Sequence, residues 1–118
     1  MREATIRDFL RKRRQVHQKA VREEIKRLTT RAAEIGAQRV ILFGSLTRQE
    51  AGLTSDLDLL IVWDTPLNFL ERTAELYRRL QPRIGADLLA YTPAEMQRMG
   101  HNPFVRRALQ EGKVLYEA

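Results

Sequence analysis

The chain has 118 residues, 43% of them hydrophobic, and this length supports one hydrophobic core and at most one active site. It has no cysteine, which excludes disulfides and cysteine-based zinc sites. Its two histidines are widely separated, which disfavours a histidine metal cluster, so we expect any metal site to use carboxylate oxygen. No apolar run approaches the roughly 20 residues that span a bilayer, and the N-terminus lacks a signal-peptide core, so we expect a cytoplasmic protein without membrane contact.

The net charge of +6 lies in the leading segment of the chain. Residues 1–35 carry eleven Lys/Arg and five Asp/Glu, whereas residues 36–118 carry ten of each. From Thr5 to Ile35 apolar residues recur every three or four positions, which predicts a long amphipathic helix closed by Gly36, with a possible break at Thr29-Thr30. We therefore expect a basic amphipathic helix over 1–35 and a compact functional unit over 36–118.

Two apolar runs and an amphipathic segment follow the helix. Arg39–Phe43 is predicted to be a buried strand that runs into the turn Gly44-Ser45, followed by a short helical turn through Glu50. Leu57–Trp63 is predicted to be the second strand. The next segment has helical periodicity from Phe69 to Leu80 and stops before Pro82.

The last third of the chain predicts one more strand and two capped helices. Ala86–Tyr91 is the third predicted strand, Thr92–Glu95 forms a capping box, and Asn102-Pro103 begins another helix. Val114–Tyr116 could add an edge strand. This alternation predicts an α/β or α+β fold with a small mixed sheet of three to four strands and helices packed on it.

Asp56 and Asp58 flank one residue at the start of the second strand. Period-two alternation predicts that both carboxylates point to one face, where they would repel each other unless a cation such as Mg²⁺ lies between them. A solvated strand entry or an Asx turn is the structural alternative. Gly44-Ser45 favours the metal interpretation, because a glycine backbone and a hydroxyl at a helix N-terminus can hold phosphate.

These residues resemble the polymerase-β-type nucleotidyltransferase superfamily, specifically the minimal nucleotidyltransferases encoded beside HEPN-domain proteins. The match comprises Gly44-Ser45, ten intervening residues and Asp56-Leu57-Asp58, and it covers residues 36–118 well. Arg48 and Ser55 fit the forms Gly-Ser-x-x-Arg and Ser-Asp-x-Asp, Asp87 fits a third family carboxylate, and residues 102–117 are similar to the family's C-terminal ending. The resemblance implies a polymerase-β-like nucleotidyltransferase fold over 36–118.

The resemblance also implies site roles. Asp56, Asp58 and Asp87 would bind two Mg²⁺ ions and carry catalysis, with Asp87 as third ligand or general base. ATP would be the substrate, and its binding residues would be Gly44, Ser45, Arg48 and Ser55. Simpler alternatives exist for three of these residues: Asp87 could be a surface or capping aspartate, Arg48 a solvated arginine, and Ser55 a cap that orients the Asp56 turn.

Three functional hypotheses follow. The resemblance implies an antitoxin enzyme that transfers AMP from ATP to a tyrosine of a HEPN ribonuclease toxin. The second hypothesis is a non-catalytic antitoxin of the same fold that binds its partner through the basic helix. The third is nucleic-acid binding through Arg11-Lys12-Arg13-Arg14 and neighbouring cations, which is disfavoured because aromatic residues do not interleave with these charges. The helix could also mediate self-association.

Overall fold

The computed structural model describes residues 2–44 and 56–118, with side chains from Thr5 onward. Within these residues the chain forms four strands and four helices. Their order is α1 (Arg2–Glu34), β1 (Arg39–Phe43), β2 (Leu57–Val62), α2 (Phe69–Leu80), β3 (Ala86–Tyr91), α3 (Pro93–Arg98), α4 (Pro103–Glu111) and β4 (Lys113–Glu117). The predicted helical turn through Glu50 lies outside the described residues.

The strands form one mixed sheet in the order β3-β2-β1-β4. β1 is antiparallel to both β2 and β4, while β2 and β3 run parallel. Every residue of β2 is buried, as expected for an apolar strand covered on both faces. The expected edge strand is present as β4, and the predicted small mixed sheet is confirmed.

Helices cover the two faces of the sheet unequally. On the face that we call the α1 face, α1 and α2 bury a large core; its fully inaccessible side chains include Leu28, Leu57, Leu59, Ile61, Leu76 and Leu80. The opposite face, here the α4 face, carries a smaller cluster of Ile41, Phe43, Leu60, Val62 and Ala108. Alternate residues of β2 therefore point to opposite layers, which places Asp58 on the α4 face.

The first helix is longer and more regular than its pattern predicts. It runs unbroken over 33 residues, and the Thr29 hydroxyl donates to the Ile25 carbonyl oxygen at 2.6 Å instead of interrupting the helix. A Schellman arrangement ends it: Gly36 N donates to Ala33 O and Ala37 N donates to Ala32 O, with Gly36 at φ +97°. At 1.5 Å per residue α1 is about 50 Å long, which accounts for the 59 Å length of the molecule.

An ion pair on α1 fastens this helix to the end of α2. Arg27 donates to the carbonyl oxygens of Leu80 at 3.2 Å and Gln81 at 2.7 Å, where the helix leaves carbonyls without internal partners. Glu24 orients Arg27 at 2.7 Å and accepts from the Arg83 backbone N–H. Hydrogen bonds from Arg27 lower the pKa of Glu24 more than its burial raises it.

Helix boundaries after the sheet's second strand agree with their sequence signals. α2 ends at Leu80, and Gln81 adopts a left-handed conformation before Pro82. The predicted capping box of Thr92 and Glu95 begins α3, and Asn102 caps α4. Among the described helices, none is long and apolar enough to cross a membrane.

Candidate functional site

Asp58 and Gly44 form the most constrained part of the candidate site. Asp58 is paired with Phe43 across the β1–β2 ladder and is only 7% exposed. Gly44 follows Phe43 at φ +78°, and a Cβ there would overlap Asp58 Oδ2 and lie 3.0 Å from its Cγ. Glycine is therefore required both by the left-handed backbone and by the close approach of the Asp58 carboxylate.

Asp87 lies beside Asp58 on the neighbouring strand. The parallel ladder of β2 and β3 pairs the two residues directly, so their side chains leave the sheet on the same face. Asp87 is exposed, whereas Asp58 is buried. This arrangement brings a buried and a solvent-accessible carboxylate together on the α4 face, next to the Gly44 turn.

Asp56 differs from the alternation predicted for it. β2 begins at Leu57, and Asp56 lies in a bend whose backbone N–H donates to Gly85 O at 2.8 Å. Its Oδ1 is 3.3 Å from His17 Nε2 on α1, the helix that covers the opposite face from Asp58. The alternation of strand side chains does not apply to Asp56, because this residue precedes β2. Its carboxylate lies beside His17 of α1 instead.

The remaining predicted site residues, Ser45, Arg48 and Ser55, lie outside the described residues. Their predicted contacts with nucleotide stay predictions. Gly44 precedes this segment and Asp56 follows it, and both lie at the same end of the antiparallel strands β1 and β2.

The chemistry of the placed carboxylates suits a hard divalent cation. Across residues 2–44 and 56–118, no group of three or more carboxylate or imidazole side chains is gathered closely enough to hold a metal by itself. Mg²⁺ does not require such a cage, because it commonly takes one or two carboxylates and completes its shell with substrate phosphates and water. Asp58 and Asp87 are carboxylates of that kind, paired on neighbouring strands, and the Gly44 backbone lies directly against Asp58.

Two neighbours of the site were not identified by sequence reasoning. His17 is exposed on α1, one turn before the buried Val21, and its partner Asp56 is 39 residues away, so no local pattern connects them. A small cavity of about 120 Å³ beside Gly44 is lined in part by Phe104 and Arg107 of α4. The Phe104 ring packs edge-on against Phe43 at 5.5 Å, which fixes α4 next to the turn.

Similarity to known proteins agrees with this geometry. The model of the family described as polymerase beta, nucleotidyltransferase matches residues 23–118. A protein of Methanocaldococcus jannaschii, named as a candidate protein adenylyltransferase, is 29% identical over 106 residues, which cover 90% of this chain and 89% of that protein. The crystal structure of a candidate nucleotidyltransferase from Sulfolobus solfataricus has the same fold, with a TM-score of 0.52 and 20% identity over 83% of this chain and 86% of that one. The chain therefore belongs to the polymerase beta nucleotidyltransferase family and is a nucleotidyltransferase.

Proposed function

We propose that this nucleotidyltransferase transfers AMP from ATP to a protein hydroxyl in a Mg²⁺-dependent reaction. The observation that carries the proposal is the direct pairing of Asp58 and Asp87 on parallel strands, beside a Gly44 turn into which no larger residue fits. Adenylyl transfer needs carboxylates that can hold a metal ion and a turn whose backbone can approach phosphate, and these residues are of the required kinds.

In the proposed reaction the acceptor oxygen attacks the α-phosphorus of ATP. The bond from the α-phosphorus to the bridging oxygen breaks, and pyrophosphate leaves. Asp58 would hold Mg²⁺ together with Asp56, whose carboxylate would have to turn from His17 toward Asp58, and Asp87 would complete its shell or accept the acceptor proton. Mg²⁺, when bound, would stabilise the charge on the phosphates. The exposure of Asp87 supports the proton-accepting role, because an incoming hydroxyl can reach it from solvent.

The segment between β1 and β2 would hold the triphosphate. Gly44 and Ser45 would bind phosphate oxygens through the backbone and a hydroxyl, and Arg48 would donate to the β- or γ-phosphate with its planar fork. Ser55 would orient the Asp56 turn.

We further propose that the acceptor is a tyrosine of a HEPN-domain toxin, so that the chain is the antitoxin of such a pair. This acceptor rests on the family resemblance and on the name of the Methanocaldococcus relative, which describes a protein substrate. Residues 36–118 would form the catalytic unit, and the exposed basic part of α1 would contribute to partner binding.

The experiment uses a HEPN-domain partner produced with this chain. Incubation with ATP and Mg²⁺ should raise the mass of the partner by one AMP unit, located on tyrosine by fragmentation. Asp58→Asn should abolish the increase. Asp64→Asn, a matched change at an exposed residue two positions after the same strand, should leave it unchanged. An unmodified partner with the wild-type chain, or equal modification by Asp58→Asn, would contradict the proposal.

Neutralisation by contact is the alternative, and the exposed apolar residues of α1 favour it. Ile6, Phe9, Leu10 and Val16 are 44–69% exposed on the part of α1 that extends past the sheet. A partner helix could cover them without any chemistry. Neutralisation of the toxin by Asp58→Asn in the absence of nucleotide would favour this alternative.

A further inference from the structure

A groove of about 590 Å³ lies between α1 and the sheet, and Asp56 is one of its lining residues. Its inner wall is apolar, formed by Val21 and Ile25 of α1 together with Leu42 and Leu115 of the sheet. The groove lies on the α1 face, so it approaches the candidate site at Asp56, before the start of β2, and not through the Asp58–Asp87 face.

The rim of the groove is basic. Arg22, Lys26 and Lys113 line it and are exposed, and none of them forms an ion pair with another residue of the described ranges. Asp56 is the single acidic residue among the described lining residues. An apolar wall between unpaired cations suits a ligand that has both apolar and anionic groups.

We propose that this groove binds an acidic peptide segment of the protein substrate and leads its acceptor hydroxyl to Asp56. The inference rests on the proposed adenylyl transfer and specifies how the acceptor is recognised. Apolar side chains of the segment would pack on Val21 and Leu115, while flanking carboxylates would pair with Lys26 and Lys113. Asp56 immediately precedes β2, so a hydroxyl bound beside Asp56 would enter the candidate site from the start of that strand.

A nucleic acid would also meet the basic rim, but the inner wall does not suit it. The described lining residues include no phenylalanine, tyrosine or tryptophan on which a base could stack. The aliphatic wall instead matches the apolar side chains of a peptide. A peptide is therefore the occupant that the lining favours.

The test measures binding to the full chain by fluorescence anisotropy. The probe is a labelled nonapeptide with a central tyrosine flanked by glutamates, compared with its lysine-flanked counterpart and with a labelled oligouridylate. Lys26→Glu/Lys113→Glu reverses the rim charge. Arg98→Glu/Arg106→Glu makes the same change in net charge at exposed positions that lie outside α1 and do not line the groove.

The rim reversal should weaken binding of the acidic peptide by about tenfold, since each exposed pair contributes up to about 1 kcal/mol. The Arg98/Arg106 variant should change it by less than about threefold. In AMP transfer to the same peptide, the rim reversal should raise KM for peptide and leave KM for ATP unchanged.

Equal weakening by both variants, or unchanged peptide affinity after the rim reversal, would overturn the proposal. A rim reversal that weakens oligouridylate binding but not peptide binding would assign the groove to nucleic acid and overturn it as well. Rim-dependent peptide binding without AMP transfer to any protein would support the groove while refuting the proposed function.

Discussion

Replacing Gly44 with alanine tests whether the close contact between the turn and Asp58 serves catalysis. Alanine at φ +78° costs about 1–2 kcal/mol in backbone strain. The added Cβ would also overlap Asp58 Oδ2, so either the turn or the carboxylate must move. A displacement of about 1 Å in a reacting site can reduce the rate by about 100-fold. We therefore expect Gly44→Ala to lose about 100-fold in AMP transfer, measured with saturating ATP and Mg²⁺.

Gly36→Ala is the matched control. Gly36 has φ +97°, and nothing lies within 4 Å of a Cβ built there, so this variant carries the backbone strain without the overlap. Urea unfolding should show a loss of about 1–2 kcal/mol for both variants. AMP transfer by Gly36→Ala should stay within about twofold of the wild type. Equal rates for the two variants would refute the catalytic role assigned to the Gly44–Asp58 contact.

Three predictions concern ion pairs. Glu24→Gln should lower the free energy of unfolding by about 1.5–3 kcal/mol at pH 7. The pKa of Glu24 in the folded chain lies below its usual 4.5, so this loss of stability should shrink as pH falls through the lowered pKa. An equal loss in urea unfolding at pH 7 and at pH 3 would contradict this. Arg72→Met removes the ion-pair partner of Glu95, a side chain only 4% exposed, and should lower the free energy of unfolding by about 3–5 kcal/mol in urea. Arg78→Met removes an exposed partner of Glu75 and should cost less than about 1 kcal/mol. Equal losses would contradict the claim that burial makes the Arg72 pair the more important one. Hydrogen bonding by Arg78 contributes most to lowering the pKa of Glu75 to about 2. An NMR titration should find this pKa in the wild type and a higher one in Arg78→Ala. An unchanged pKa of Glu75 in the variant would contradict the role assigned to Arg78.

Local signals in the sequence predicted most of the fold. Ala86–Tyr91 has the predicted boundaries, and the capping box of Thr92 and Glu95 is present, because strand alternation and helix caps depend on residues a few positions apart. The break considered at Thr29 is absent. Its hydroxyl bonds to the preceding turn, and packing of Leu28 and Ala32 against the sheet keeps the helix continuous.

Contacts between distant segments could not be predicted. The side chain of Arg72 is buried by carbonyls of two other segments and by Glu95, yet an arginine on an amphipathic helix resembles any surface cation in sequence. His17 approaches Asp56 because α1 packs on the sheet and brings this side chain to the start of β2. The resemblance implied that Asp87 is a third carboxylate of the site, whereas its direct pairing with Asp58 depends on the register of the parallel ladder.

The central claim is that the bond between the α- and β-phosphates of ATP is broken and AMP is transferred to protein. The most direct measurement incubates the chain and a HEPN-domain partner with Mg²⁺ and ATP labelled at either the α- or the γ-phosphate. Adenylyl transfer predicts label in the partner from α-labelled ATP alone, with one pyrophosphate released per AMP incorporated. Incorporation from γ-labelled ATP, or undiminished α-labelling by Asp56→Ala/Asp58→Ala, would contradict it.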